Sequence, residues 1–221
     1  MPVDLIVLAG GHGERLGGRD KAAVLVAGRT LLDRVLEAQQ FLGGDAVVVG
    51  DTSVPEGVRR TLEDPPDGGP VAGIAAGLTA LAHTGGRERP AAWVAVVAVD
   101  QPAAAPALAA LRLVLDGLRG EARAEALGEV DALSHVDATG HRQWLLAIYR
   151  RRALEAAVAA LPDPRHTSVR RLVERLRWLE VVRGAQHVGD VDTPEDLATW
   201  EARLANPAAR DATLGQPETE G

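Results

Sequence analysis

The chain has 221 residues, 46% hydrophobic and 25% charged, a balance that argues against disorder and supplies enough apolar mass for one sizeable core. It contains no cysteine, which excludes disulfides, thiolate metal ligands and a cysteine nucleophile, and leaves oxygen or imidazole as metal donors. The net charge of −7 argues against a nucleic-acid partner, because a duplex demands a basic face that neutralises many phosphates at once, whereas a small anion needs only a local concentration of cations.

Taken in chain order, Asp4-Leu5-Ile6-Val7-Leu8-Ala9 is an unbroken apolar run ending at Gly10-Gly11, which predicts a buried strand opening into a loop. After Thr30, the residues Leu31, Leu32, Val35 and Leu36 share a helical face, and Thr30 with Asp33 has capping-box spacing. Ala46 to Gly50 predicts a second buried strand and Leu62-Glu63-Asp64 a short third one, stopped by the turn residues Pro65 to Gly69. Pro70 to Ala82 predicts a helix, with Gly73 and Gly77 as small packing positions. Trp93 to Val99, rich in valine, predicts a strand buried on both faces that delivers Asp100 at its C-terminal end.

A helix is expected from about Ala105 to Leu118, a strand over Trp144 to Tyr149, a helix over Arg151 to Leu161, a basic helix over Ser168 to Arg177 and a strand over Leu179 to Val182. Gly120 to Glu129 carries no clear pattern. Thr193-Pro194-Glu195-Asp196 combines an N-cap, proline at the first helical position and acidic groups at the positive end of the dipole, so it opens a last helix with Leu197, Trp200 and Leu204 inward. Residues 206–221 are small, polar or helix-breaking and are expected to form a mobile tail after a single domain over 1–205. No apolar run reaches the ~20 residues of a membrane span, and Met1 to Asp4 lacks the basic region of a signal peptide, so the cytoplasm is the expected compartment, with no membrane partner.

Strands alternating with helices of this length predict an α/β fold, a three-layer α/β/α sandwich on a mostly parallel, Rossmann-like sheet. Ligands in such folds bind beyond the carboxyl ends of the strands, where both Gly10 and Asp100 fall.

The chemistry concentrates between Leu8 and Lys21. Gly10, Gly11 and Gly13 let the backbone turn sharply and bring its N–H groups against an anion, and Arg15, Arg19 and Lys21 add charge on the scale of a triphosphate. Lys21 is the sole lysine of the chain, and an ammonium is not interchangeable with a guanidinium at a tight phosphate site. The spacing matches neither the G-x-G-x-x-G dinucleotide fingerprint nor a P-loop, since Lys21 is followed by Ala22 rather than by a hydroxyl residue. The histidines lack metal-ligand spacing, and His12, His135 and His141 are expected to face solvent. Arg170, Arg171 and Arg175 read as a solvated helix face, and the tryptophans as packing residues.

Leu8-Ala9-Gly10-Gly11, Arg15, Gly17-Gly18 and Asp20-Lys21 resemble the signature of the molybdenum cofactor guanylyltransferases, within the wider nucleotidyltransferase superfamily. The resemblance continues through Glu63-Asp64, Gly69-Pro70-Val71-Ala72-Gly73, Asp100 with Pro102, and Thr193-Pro194-Glu195-Asp196-Leu197. It implies that Leu8, Ala9 and Gly10, with the glycines Gly11 and Gly13, contact the nucleotide, Arg15 and Lys21 its phosphates, Asp64 the base and ribose, and Asp100 a Mg²⁺ ion. Arg15, Lys21 and Asp100 are then the catalytic group. The implied reaction is attack by the terminal phosphate of molybdopterin on the α-phosphorus of GTP, with loss of pyrophosphate.

The chain departs from that pattern at Asp190-Val191-Asp192, where the guanylyl enzymes show Asn-x-Asn, at Gly50-Asp51, where they show Asn, and at Asp100-Gln101-Pro102, a form associated with the related cytidylyltransferases. CTP as donor and a sugar phosphate as acceptor therefore stay open, as does a nucleotide-binding accessory protein without turnover. Asp190 and Asp192 are candidates for a second metal or acceptor contact, or serve only as the polar lead into a capped helix.

Overall fold

The computed structural model describes residues 1–10, 20–82, 90–118, 130–137 and 139–205. Its strands are β1 (Val3–Leu8), β2 (Leu25–Val26), β3 (Arg29–Thr30), β4 (Gly43–Val49), β5 (Arg59–Thr61), β6 (Trp93–Ala98), β7 (Ala132–Val136), β8 (Arg142–Arg150) and β9 (Trp178–Val181). Its α-helices are α1 (Leu31–Leu36), α2 (Gln39–Leu42), α3 (Pro70–Ala82), α4 (Ala104–Gly117), α5 (Arg151–Ala159), α6 (Val169–Val173) and α7 (Pro194–Ala205).

Seven strands form one sheet in the order β5-β4-β1-β6-β8-β7-β9, with β2 and β3 as a separate antiparallel ribbon. β5, β4, β1 and β6 run parallel, β7 and β9 run parallel to each other, and β8 is antiparallel to both of its neighbours. The sheet is therefore mostly parallel, as the alternation of elements predicts.

The unbroken apolar runs of β1, β4 and β6 are explained by burial on both faces. Ile6, Val47 and Val96 face a layer containing α3, α5 and α6, through Ile74, Leu154 and Leu172. Leu5, Val48 and Val97 face the opposite layer of α1 and α4, through Leu32 and Leu108. A core poor in aromatics needs close backbone approach, and Gly77 provides it: a Cβ there would lie 2.7 Å from Cγ2 of Ile6, so α3 settles onto β1 only because that position is bare. At the N-terminal end of β1, fully buried Asp4 accepts from the backbone N–H of Asp45 (2.9 Å), that of Ala91 (3.1 Å) and Nη2 of Arg151 (2.6 Å).

Some expectations shift. The third strand lies at Arg59–Thr61 rather than at Leu62 to Asp64, because pairing with Val47 to Val49 sets its position; it is a polar edge strand with no apolar pattern to read, and Leu62 beyond it is exposed. β7 was hidden from pattern reading by Ser134 and His135. Both are fully buried, against the expectation that His135 faces solvent, and both are satisfied internally: the Ser134 hydroxyl donates to the His135 carbonyl (2.7 Å), and the two imidazole nitrogens sit 3.0 Å from the carbonyls of Val181 and Ala107. The basic helix stops at Val173, well short of Arg177, since the Arg177 carbonyl accepts from Asp131 and Ala132 and draws that residue towards the sheet.

Among the described residues no helix is long and apolar enough to cross a membrane. The expected tail at 206–221 and the patternless stretch at 120–129 lie outside the described residues.

Candidate active site

Because β1, β4 and β6 are parallel, the residues that follow them meet at one edge of the sheet. The ladder continues past the strand ends, with the N–H of Ala9 donating to Val49 O (2.8 Å) and that of Val99 to Leu8 O (3.0 Å), so Ala9, Gly50 and Asp100 are held side by side. Gly50 adopts φ 149°, and a Cβ there would come within 2.6 Å of the Ala9 backbone; only glycine lets these two strand ends approach so closely.

A cavity of about 900 Å³ opens at this edge, in the size range of small-molecule sites. Its wall includes the end of β1 at Leu8, Ala9 and Gly10, together with Lys21, Asp100, Glu63, Asp67 and Gly73. Gly69, Pro70 and Gly73 bring the first turn of α3 to the wall, and the N–H groups and dipole of a helix N-terminus favour an anion there.

Lys21 stands on a single 3₁₀ turn, Lys21–Ala23. Asp20 caps that turn, its Oδ1 accepting from the N–H of Ala22 (3.0 Å), while its Oδ2 accepts from the hydroxyl of buried Thr52 (2.6 Å). The Lys21 ammonium donates to Asp100 Oδ2 (3.2 Å) and to Asp192 Oδ1. Asp192 reaches this point through the segment between β9 and α7. Its neighbour Val191 donates from the backbone to Asp100 O (2.9 Å), the Trp200 indole donates to Asp190 O (3.1 Å), and Thr193 and Asp196 cap α7 reciprocally.

Burial works against the charge on Lys21, but hydrogen bonds and charge from Asp192 and Asp100 outweigh it and hold the ammonium above its usual pKa. For Asp100 burial dominates and pushes the carboxyl above the usual range; Lys21 opposes this, and Asp190 and Asp192 add to it. The two partners differ because Asp100 shares its counter-charge: the two side chains are equally shielded from solvent, but one ammonium faces two carboxylates, with a third nearby.

That excess of negative charge suits a hard divalent cation. Among the described residues no three His, Asp or Glu side chains converge, so Asp100 and Asp192 would furnish two oxygen donors and leave the remaining positions to water and phosphate, as Mg²⁺ accepts.

Of the residues expected from sequence, Leu8, Ala9, Gly10, Lys21 and Asp100 line this one cavity, and Asp192 joins them through Lys21. Asp64 is exposed, and the wall beside it is formed by Glu63 and Asp67 instead. Gly11, Gly13 and Arg15 lie outside the described residues. The sequence motif includes Asp20 beside the lone lysine but assigns it no role, and Thr52 has no local signal.

A family model described as the MobA-like NTP transferase domain matches residues 5–181. A probable molybdenum cofactor guanylyltransferase of Opitutus terrae is 32% identical over 199 residues, spanning 86% of this chain and 90% of that protein. A molybdenum cofactor guanylyltransferase of Pseudomonas putida is 28% identical over 204 residues, 89% of this chain and 96% of that one. Among solved structures, the molybdopterin-guanine dinucleotide biosynthesis protein A of Archaeoglobus fulgidus superposes with a TM-score of 0.60 at 25% identity, covering 92% of this chain and 99% of that chain.

Proposed function

The chain belongs to the MobA-like NTP transferase family, and from that footing we propose that it transfers GMP from GTP to the terminal phosphate of molybdopterin, releasing pyrophosphate and forming the guanine dinucleotide cofactor. The observation that carries this reading is Lys21 and Asp100 on the wall of a nucleotide-sized cavity, with Asp192 joined to them through the Lys21 ammonium. In the transfer, an oxygen of the acceptor phosphate forms a bond to the α-phosphorus of GTP, and the bond from that phosphorus to the bridging oxygen of pyrophosphate breaks. No protein nucleophile is needed, since positioning and neutralisation of charge supply most of the acceleration in displacements of this kind.

In this reading Ala9 and Gly10 present backbone to the nucleotide, and the first turn of α3 lines the same cavity. Lys21, held protonated by its two carboxylates, turns its charge to the polyphosphate, and Arg15 assists. Asp100 and Asp192 would hold Mg²⁺, which when bound neutralises phosphate oxygens and orients the triphosphate. Glu63 and Asp67 also line the cavity, beyond the end of β5, and their carboxylates suit the N–H donors on the Watson–Crick edge of guanine.

The test is a direct one. Purified protein, Mg²⁺ and molybdopterin are incubated with GTP or with CTP, and pyrophosphate and the dinucleotide product are measured by coupled assay and mass spectrometry. Product from GTP at a rate well above that from CTP is expected. Product from CTP alone would reassign the base, and none from either would remove the transferase reading.

A further inference from the structure

A lysine side chain has four rotatable bonds and about 2 kcal/mol of rotamer entropy, so where its ammonium sits depends on how firmly its backbone is held. Lys21 has little local support. Its single 3₁₀ turn buries only Ala22, and no α-helix or sheet strand carries it. Beyond its own backbone bonds and the packing of Ala22, the turn is tied down by the two oxygens of one carboxylate: Asp20 Oδ1 takes the Ala22 N–H, and Asp20 Oδ2 takes the Thr52 hydroxyl.

Thr52 is itself a firm anchor. It is 6% exposed, it follows Gly50 and Asp51 on the cavity wall, and its carbonyl accepts from Nη1 of Arg60 on β5 (3.2 Å). We propose that Thr52 is a positioning residue for Lys21, its hydroxyl fixing Asp20 and thereby tying the phosphate-side cation to the wall formed by the end of β4. Thr52 touches no substrate in this role. Because its loop follows Gly50 and Asp51, movement of that wall is transmitted to Lys21 through a single 2.6 Å hydrogen bond. The functional meaning of the link rests on the transferase reading; the link itself can be tested without turnover.

Since Lys21 is the sole lysine, protein labelled with [¹³Cε]lysine gives one resonance, which reports on this side chain alone. Thr52→Val keeps the shape and removes the hydroxyl. It is expected to shift or split that resonance and to lower kcat for GTP-dependent pyrophosphate release about ten- to a hundredfold, the scale of a misplacement near 1 Å, with KM little changed. Thr52→Ser restores both the resonance and the rate. If the valine protein does not fold, Thr52→Ala is read in the same way.

An unchanged Lys21 resonance with turnover within about twofold of wild type overturns the proposal, and so does a serine variant as impaired as the valine one. Wild-type protein that transfers nothing leaves the resonance comparison intact, so the two readings fail separately.

Discussion

At the scale of single residues, Lys21 bears one positive charge against the carboxylates of Asp100 and Asp192, whose hydrogen bonds and charge keep the ammonium protonated. Removing the ammonium by Lys21→Ala is expected to cost about a hundred- to a thousandfold in kcat, the magnitude seen when one preorganised charge-stabilising group is lost. Pyrophosphate release measures this, with circular dichroism to confirm the fold. Asp100→Asn has the opposite balance. Burial raises the pKa of Asp100, so its charged form costs stability at neutral pH, and the penalty fades as pH falls through that raised value. The asparagine variant is expected to lose metal-dependent transfer, yet to melt no lower than wild type at pH 7, with any advantage shrinking towards acid pH. A melting temperature several degrees lower would show that the pairing with Lys21 outweighs desolvation.

Elements meet the site through their ends, and their packing decides where those ends lie. α3 sits on β1 through Gly77, and its first turn lines the cavity. Alanine in place of Gly77 gains about 1 kcal/mol of helix propensity, but its Cβ would meet three side-chain atoms of fully buried Ile6 at 2.7, 3.0 and 3.1 Å. Overpacking of that kind costs about 1–3 kcal/mol, so the steric term wins. Gly77→Ala is expected to lower the urea midpoint and, by lifting the first turn of α3, to raise KM for the nucleotide more than it lowers kcat. Unchanged stability would mean that Ile6 can move aside.

The molecule as a whole divides its work between the two ends of the central strand. β1 begins at the buried Asp4–Arg151 pair and ends at Ala9 and Gly10 on the cavity wall. Arg151→Ala removes the opposing charge that the guanidinium supplies to a fully buried carboxylate, a change that costs about 3–5 kcal/mol. Chemical denaturation should show that loss in full, while KM for nucleotide in the remaining folded protein stays within about twofold, because the pair lies at the edge of the sheet opposite the site. A large rise in KM would instead mean that the strand transmits the disturbance along its length.

Residue order alone sufficed for the fold class, the edge of the sheet at which the cavity opens, and the cap that starts α7. β1, β4 and β6 were readable because burial on both faces imposes an unbroken apolar run, and the cap was readable because Thr193 and Asp196 are near neighbours in the chain. Tertiary structure alone decided the rest. β7 escaped because Ser134 and His135 are paid for by partners on β7 itself, α4 and β9; Glu63 and Asp67, rather than Asp64, took the cavity wall because the register of β5 on β4 sets how the chain leaves the strand. Asp192 meets Lys21 across 171 positions and Thr52 meets Asp20 across 32. Hydrophobic periodicity is a local record of burial, whereas the partner of a polar side chain is chosen by the path of distant backbone, which no local pattern encodes.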